Sequence, residues 1–137
     1  MTDRTRGQLE ADMSAALIQF EREYMGRGPD EAKSYLIEDM LLVRLRRVLT
    51  PAEKHLAETG DMGGRALVKQ VRSALLEKGR PLLEEIVQRI TGKRVTSLHT
   101  DISTVTGERM IIFTLDGFPD LAADKPPADE RRARRRK

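Results

Sequence analysis

The sequence predicts an α+β domain in the order α-β-β-α-α-β-β: two β-hairpins forming a four-stranded, mainly antiparallel sheet, with helices packed on one face. Three observations carry this. Two stretches alternate apolar and polar residues with period two about short polar turns. Two others repeat apolar residues at spacings of three and four. Threonine, glycine and proline mark the starts and stops between them.

The first helix is expected over Gly7–Met25. Leu9, Met13, Ala16, Leu17, Phe20 and Tyr24 share one stripe, and Thr5 with Gln8 forms a capping box. Gly26, Gly28 and Pro29 end it. Lys33–Ile37 and Met40–Leu49 then read as strands around Glu38-Asp39. Leu41, Val43 and Leu45 face one way, while Leu42, Arg44 and Arg46 face mostly the other. Thr50-Pro51-Ala52-Glu53 starts the next helix: threonine caps, proline fits the first turn, and Glu53 reaches back to the cap. After the glycines at 60–64, Leu67, Val71, Ala74 and Leu75, then Leu82, Ile86 and Ile90, continue one phase across Pro81. This predicts a long helix kinked at Pro81, or two nearly collinear ones, ending at Gly92. The last hairpin pairs Val95–Ser103 with Glu108–Leu115 across Thr106-Gly107.

With 137 residues the chain is long enough for one real core, read as a single domain over 1–117. Residues 118–137 are polar, proline-bearing and aperiodic, the composition of a disordered tail. No apolar window of about 18 residues exists, so no transmembrane segment is expected. The start lacks a signal peptide's apolar core, and a cytoplasmic location is expected. Cysteine is absent, which excludes disulfides and thiolate chemistry. The overall charge of +3 belongs to the end of the chain: removing the six cations Arg131, Arg132, Arg134, Arg135, Arg136 and Lys137 leaves −3. Residues 1–117 hold 18 basic and 18 acidic groups, which counts against a nucleic-acid-binding fold with a basic face.

Two long blocks, RVLTPAEKHLAETGDMGGRALVKQVR at 47–72 and ITGKRVTSLHTDISTVTGERMIIFTL at 90–115, resemble the MpsC family. These are small bacterial proteins associated by name with a sodium-translocating, membrane-potential-generating system. The resemblance extends over about 7–116 and leaves out the arginine-rich end. It carries over no catalytic residue. It implies a soluble accessory or regulatory protein of a cation or inorganic-carbon transport system whose membrane components are other chains.

His99, Asp101 and Ser103 lie two apart on a strand and so share a face. A His-x-Asp pair can supply two metal ligands or an oriented base, but zinc needs three protein ligands. The other histidine, His55, lies on a distant helix. The preferred reading is a polar sheet face with the imidazole hydrogen-bonded to the carboxylate. TGDMGGR at 59–65 lacks the spacing and ending of a phosphate loop and reads as an interhelical loop. Arg44, Arg46 and Arg47, with Lys93 and Arg94, read as solvated edge charges.

The sequence therefore predicts a non-enzymatic module with no metal and no cofactor, binding a protein partner such as a transporter subunit. Homodimerisation is a further expectation. The six terminal cations suit electrostatic contact with a membrane surface, or, in the alternative reading, with nucleic acid. A small enzyme centred on His99 and Asp101 is the third reading.

Overall fold

Alternation over residues 31–46 and 95–115 becomes one four-stranded sheet in the computed structural model, which describes residues 3–58 and 62–122. The elements are α1 (Arg6–Met25), β1 (Glu31–Ile37), β2 (Met40–Arg46), α2 (Pro51–Glu58), α3 (Met62–Thr91), β3 (Val95–Ile102) and β4 (Arg109–Leu115). This is the α+β class and element order read from the sequence. The strands run β1-β2-β4-β3, every neighbouring pair antiparallel. The two hairpins therefore join at the centre, where Leu41 pairs Phe113 and Val43 pairs Ile111.

One face of the sheet is the floor of the core. Leu36, Leu41, Val43, Leu45, Ile111, Phe113 and Leu115 are buried there with Leu9, Met13, Leu17 and Phe20 of α1. Ile102 joins them, and Leu98 packs half-buried against the cluster. All seven inward sheet residues alternate with outward ones, so a one-residue slip would expose every one of them.

Both expected caps form. Thr5 Oγ1 accepts from the Gln8 N–H while Gln8 accepts from the Thr5 N–H. Thr50 and Glu53 make the same reciprocal pair at α2. The first strand begins two residues earlier than predicted, at Glu31, and β2 stops at Arg46 instead of Leu49. The stop is conformational: Arg47 has φ +58, a left-handed backbone that ends the ladder. The Val48 N–H then donates to the Gly107 carbonyl at 2.9 Å, tying this segment to the tip of the second hairpin.

The long helix is continuous through Pro81. Its buried stripe differs from the predicted one in the first half. Val68, Arg72 and Leu76 are buried, whereas Leu67 and Val71 are 49% and 45% exposed. On α1 the stripe likewise runs through Glu21 and Met25, leaving Tyr24 exposed and stacked on Phe20. At the expected tail boundary, residues 118–122 reach back to α1: Pro119 is buried, Leu121 packs on the core, and the Ala122 N–H donates to the Arg4 carbonyl. The cationic run from Arg131 to Lys137 lies outside the described residues.

Close approach of α1 and α3 needs Gly79. A Cβ built there would lie 2.6 and 2.7 Å from the Phe20 ring, which is itself only 2% exposed. Gly79→Ala gains about 1 kcal/mol of helix propensity but meets an overpacking cost of about 1–3 kcal/mol. Urea denaturation should show net destabilisation of about 1 kcal/mol or more. A stabilised variant would mean that the ring gives way freely.

Candidate functional site

The His99–Asp101–Ser103 row does not assemble as predicted. His99 and Asp101 are exposed on β3, the edge strand. The Asp101 carboxylate accepts from its neighbour's Ile102 N–H at 2.8 Å and pairs with Lys69 at 3.2 Å, so its partners are not the His99 imidazole. Those contacts, the Ile102 N–H first and Lys69 next, hold its carboxyl below the ordinary range. Ser103 belongs to the hairpin turn, where its Oγ accepts from Thr106 N–H. His99 and Asp101 do share the outer face, in unbroken register opposite Ile112 and Met110, while Ser103 lies past the end of the strand.

Arg44, Arg46 and Arg47 are each paired with an acid. Arg44 pairs with Glu108 at 2.6 Å and Arg46 with Glu31 at 3.5 Å. The left-handed Arg47 instead turns to Asp30 at 3.2 Å. Of the two cations beside the other hairpin, the Arg94 backbone N–H donates to Asp116, and the Lys93 side chain lies against Gly117. The loop at 59–61 lies outside the described residues. Beyond it, a Cβ on Gly64 would lie 2.4 Å from the Leu56 carbonyl, so this glycine lets α2 and α3 meet.

What the sequence reading missed is a buried ionic cluster. Arg72 is 1% exposed, Arg109 2% and Glu21 1%. Arg72 grips Glu53 with Nε and Nη2 at 2.8 and 2.5 Å, and Nη2 also donates to the Val48 carbonyl at 2.7 Å. Glu21 lies between the guanidinium groups, 3.7 Å from Arg72 Nη1 and 3.8 Å from Arg109 Nε. Those separations are in ion-pair range but too long for hydrogen bonds. Neither Glu21 oxygen has a hydrogen-bond partner among the described residues. At an effective dielectric near 20 each contact is worth about 4 kcal/mol of gross attraction, against several kcal/mol to dehydrate each ion. Burial accordingly raises the Glu21 carboxyl and lowers the Arg109 guanidinium, outweighing their mutual attraction. Burial also pushes Glu53 upward, but the Arg72 hydrogen bonds and the Thr50 cap outweigh it and hold that carboxyl below its ordinary range.

The cluster was signalled in the sequence by charges occupying core register. Glu21 continues the four-residue spacing of Leu9, Met13 and Leu17. Arg72 lies midway between Val68 and Leu76, and Arg109 alternates with Ile111, Phe113 and Leu115. The cluster is a structural clamp joining α1, the α2 cap, α3 and the sheet.

The surface most able to bind is the outer face of the sheet. Across it run Ile37, Met40 and Thr114, and beside them Tyr35, Leu42 and Ile112. Ile37 is 49% exposed, Tyr35 42% and Met40 36%. The solvent face of an antiparallel sheet is ordinarily polar, and this apolar half departs from that pattern. The other half is charged and balanced by the Arg44–Glu108 and Arg46–Glu31 pairs.

Comparison with known proteins assigns the class of this α+β body. The family described as the Na+-translocating membrane potential-generating system (MpsC) matches residues 5–117. The chain belongs to the MpsC family. It is also 40% identical over 112 residues to the uncharacterized protein YbcI of Bacillus subtilis (strain 168), covering 82% of this chain and 89% of that one. No solved structure matches the chain. No described helix is long and apolar enough to cross a membrane.

Two measurements check the clamp. Arg72→Met leaves Glu21 and Glu53 without their shared cation and should cost about 3–5 kcal/mol in denaturant unfolding. Because the folded-state Glu53 carboxyl lies below its unfolded value, its contribution is present above that value, about pH 4.3, and lost as pH falls through the folded one. The stability advantage of the natural chain over Glu53→Gln should therefore be full at neutral pH and shrink as the medium is acidified below the ordinary carboxylate range. An advantage that does not change with pH would refute the assignment.

Proposed function

We propose that this chain is a non-enzymatic accessory protein of the sodium-linked membrane-potential system for which its family is named, and that it works by binding another protein through the outer face of its sheet. The observation that carries this reading is the apolar half of that face, which no described element covers. Family membership supplies the setting.

The dimensions suit a modest contact. Four strands spaced about 4.8 Å apart and seven residues rising about 3.4 Å each give a face of roughly 450 Å². Covering the whole face, its charged half included, removes on the order of 1,000 Å² over both partners, at the low end for specific interfaces and typical of transient signalling contacts. Affinity would then rest on a few central anchors, with Tyr35 and Met40 the best placed for that role. The Arg44–Glu108 pair at the border favours a partner with mixed charge over a uniformly acidic or basic one.

A second reading follows from the six cations between Arg131 and Lys137, which suit an anionic membrane surface or nucleic acid. Peripheral attachment by this route is compatible with the sheet contact; a nucleic-acid role replaces it.

Ile37→Glu with Met40→Glu tests the proposal. Both side chains are exposed, so the folded body should change in stability by no more than about 1 kcal/mol. Capture of subunits of the membrane system from detergent extracts by tagged full-length chain should be lost. Retained capture by this variant, or capture that disappears only on deleting residues 131–137, would defeat the sheet-face reading. Salt-sensitive retention of RNA or DNA through the deleted segment would favour the second.

A further inference from the structure

A cavity of about 180 Å³ opens where the end of β2, helix α2 and the tip of the second hairpin meet. Its wall holds three cations, Arg27, Arg47 and Lys54, against one acid, Glu58, with Thr104 and Thr106 beside them. We infer that this cavity is a binding site for a small oxyanion, either inorganic phosphate or the phosphomonoester end of a small metabolite.

The two arginines are held side by side from behind. The Asp30 carboxylate, which is not part of the cavity wall, accepts from Arg27 Nη2 at 3.1 Å and from Arg47 Nη1 at 3.2 Å. Arg27 Nη1 also donates to the Leu49 carbonyl at 3.2 Å. A guanidinium carries five N–H donors, so each arginine keeps donors beyond these contacts. The Lys54 backbone N–H is used within its helix, and no ion pair to a described residue engages its ammonium. Paired arginines with a neighbouring ammonium are the donor set that tetrahedral oxyanions bind best, through short charge-assisted hydrogen bonds.

The frame around these groups is stiff. Gly107 has φ +75, its carbonyl accepts from Val48 N–H, and its N–H donates to the Ser103 carbonyl at 2.8 Å. An added Cβ at Gly107 would touch the Arg47 Cα at 3.5 Å. Arg47 itself sits at φ +58, where a side chain costs about 1–2 kcal/mol and glycine costs nothing. From this backbone the Arg47 side chain reaches Asp30 while staying 75% exposed, open to an ion from solvent. Size sets what the cavity itself holds: at about 180 Å³ it is smaller than the roughly 300 Å³ from which pockets for whole organic molecules run, so it takes a phosphate group with any attached moiety outside it.

Titration of the isotope-labelled full-length chain with inorganic phosphate, followed by amide NMR near neutral pH and at constant ionic strength, tests the site. Saturable shifts at Thr106 and Gly107 are expected, with half-saturation at about 1 mM or below. Arg47→Gly removes the guanidinium while accommodating the left-handed backbone, so it should fold normally. It and Lys54→Gln should each weaken binding about tenfold. Glycerol phosphate binding more tightly than phosphate assigns the phosphomonoester, and weaker binding assigns the free anion. Shifts that do not saturate, that chloride reproduces, or that Arg47→Gly leaves unchanged would overturn the proposal.

Discussion

Arg72 is the one group on which the packing of the whole body depends. Its guanidinium reaches the cap of α2 through Glu53, the end of β2 through the Val48 carbonyl, and α1 through Glu21. Glu21 in turn faces Arg109 of β4, whose Nη1 donates to Thr100 of β3 at 3.3 Å. Hydrophobic burial brings these elements together without saying how they should sit. A buried ion can be tolerated only where its counter-charges stand, so the cluster selects one arrangement among the compact ones.

That same cluster explains where the sequence could be read and where it misled. Sheet register was legible because Leu41, Val43 and Leu45, and Ile111, Phe113 and Leu115, alternate without exception. Both capping boxes were legible because threonine and its partner three residues on define them locally. The phase of α3 was misread because its inward stripe contains Arg72, while apolar Leu67 and Val71 point outward. Hydropathy assigns each residue alone, whereas charges become core-compatible only in the company of distant partners.

Position failed for the site residues for a related reason. The spacing of His99 and Asp101 correctly put them on an exposed strand, but nothing local announced that Lys69 would take the carboxylate. Likewise Arg47 follows Arg44 and Arg46 in sequence but leaves the face those two share, because its backbone turns left-handed. Arg27 and Lys54, which join Arg47 around one cavity, come from separate elements that only the fold unites. The outward row of Tyr35, Leu42 and Ile112 was legible as alternation but not as exposure.

The strand order has a consequence for how the chain reaches this state. The two inner strands, β2 and β4, come from different hairpins, with α2 and α3 between them in sequence. The first hairpin can close locally, but its inner edge stays unsatisfied until the final strand is made and docks. Loop closure across that distance delays the central ladder relative to the turns. During synthesis an apolar edge rich in leucine and valine waits uncovered, a template for mispairing between nascent copies. Prompt delivery of the last hairpin is therefore a requirement of the topology itself.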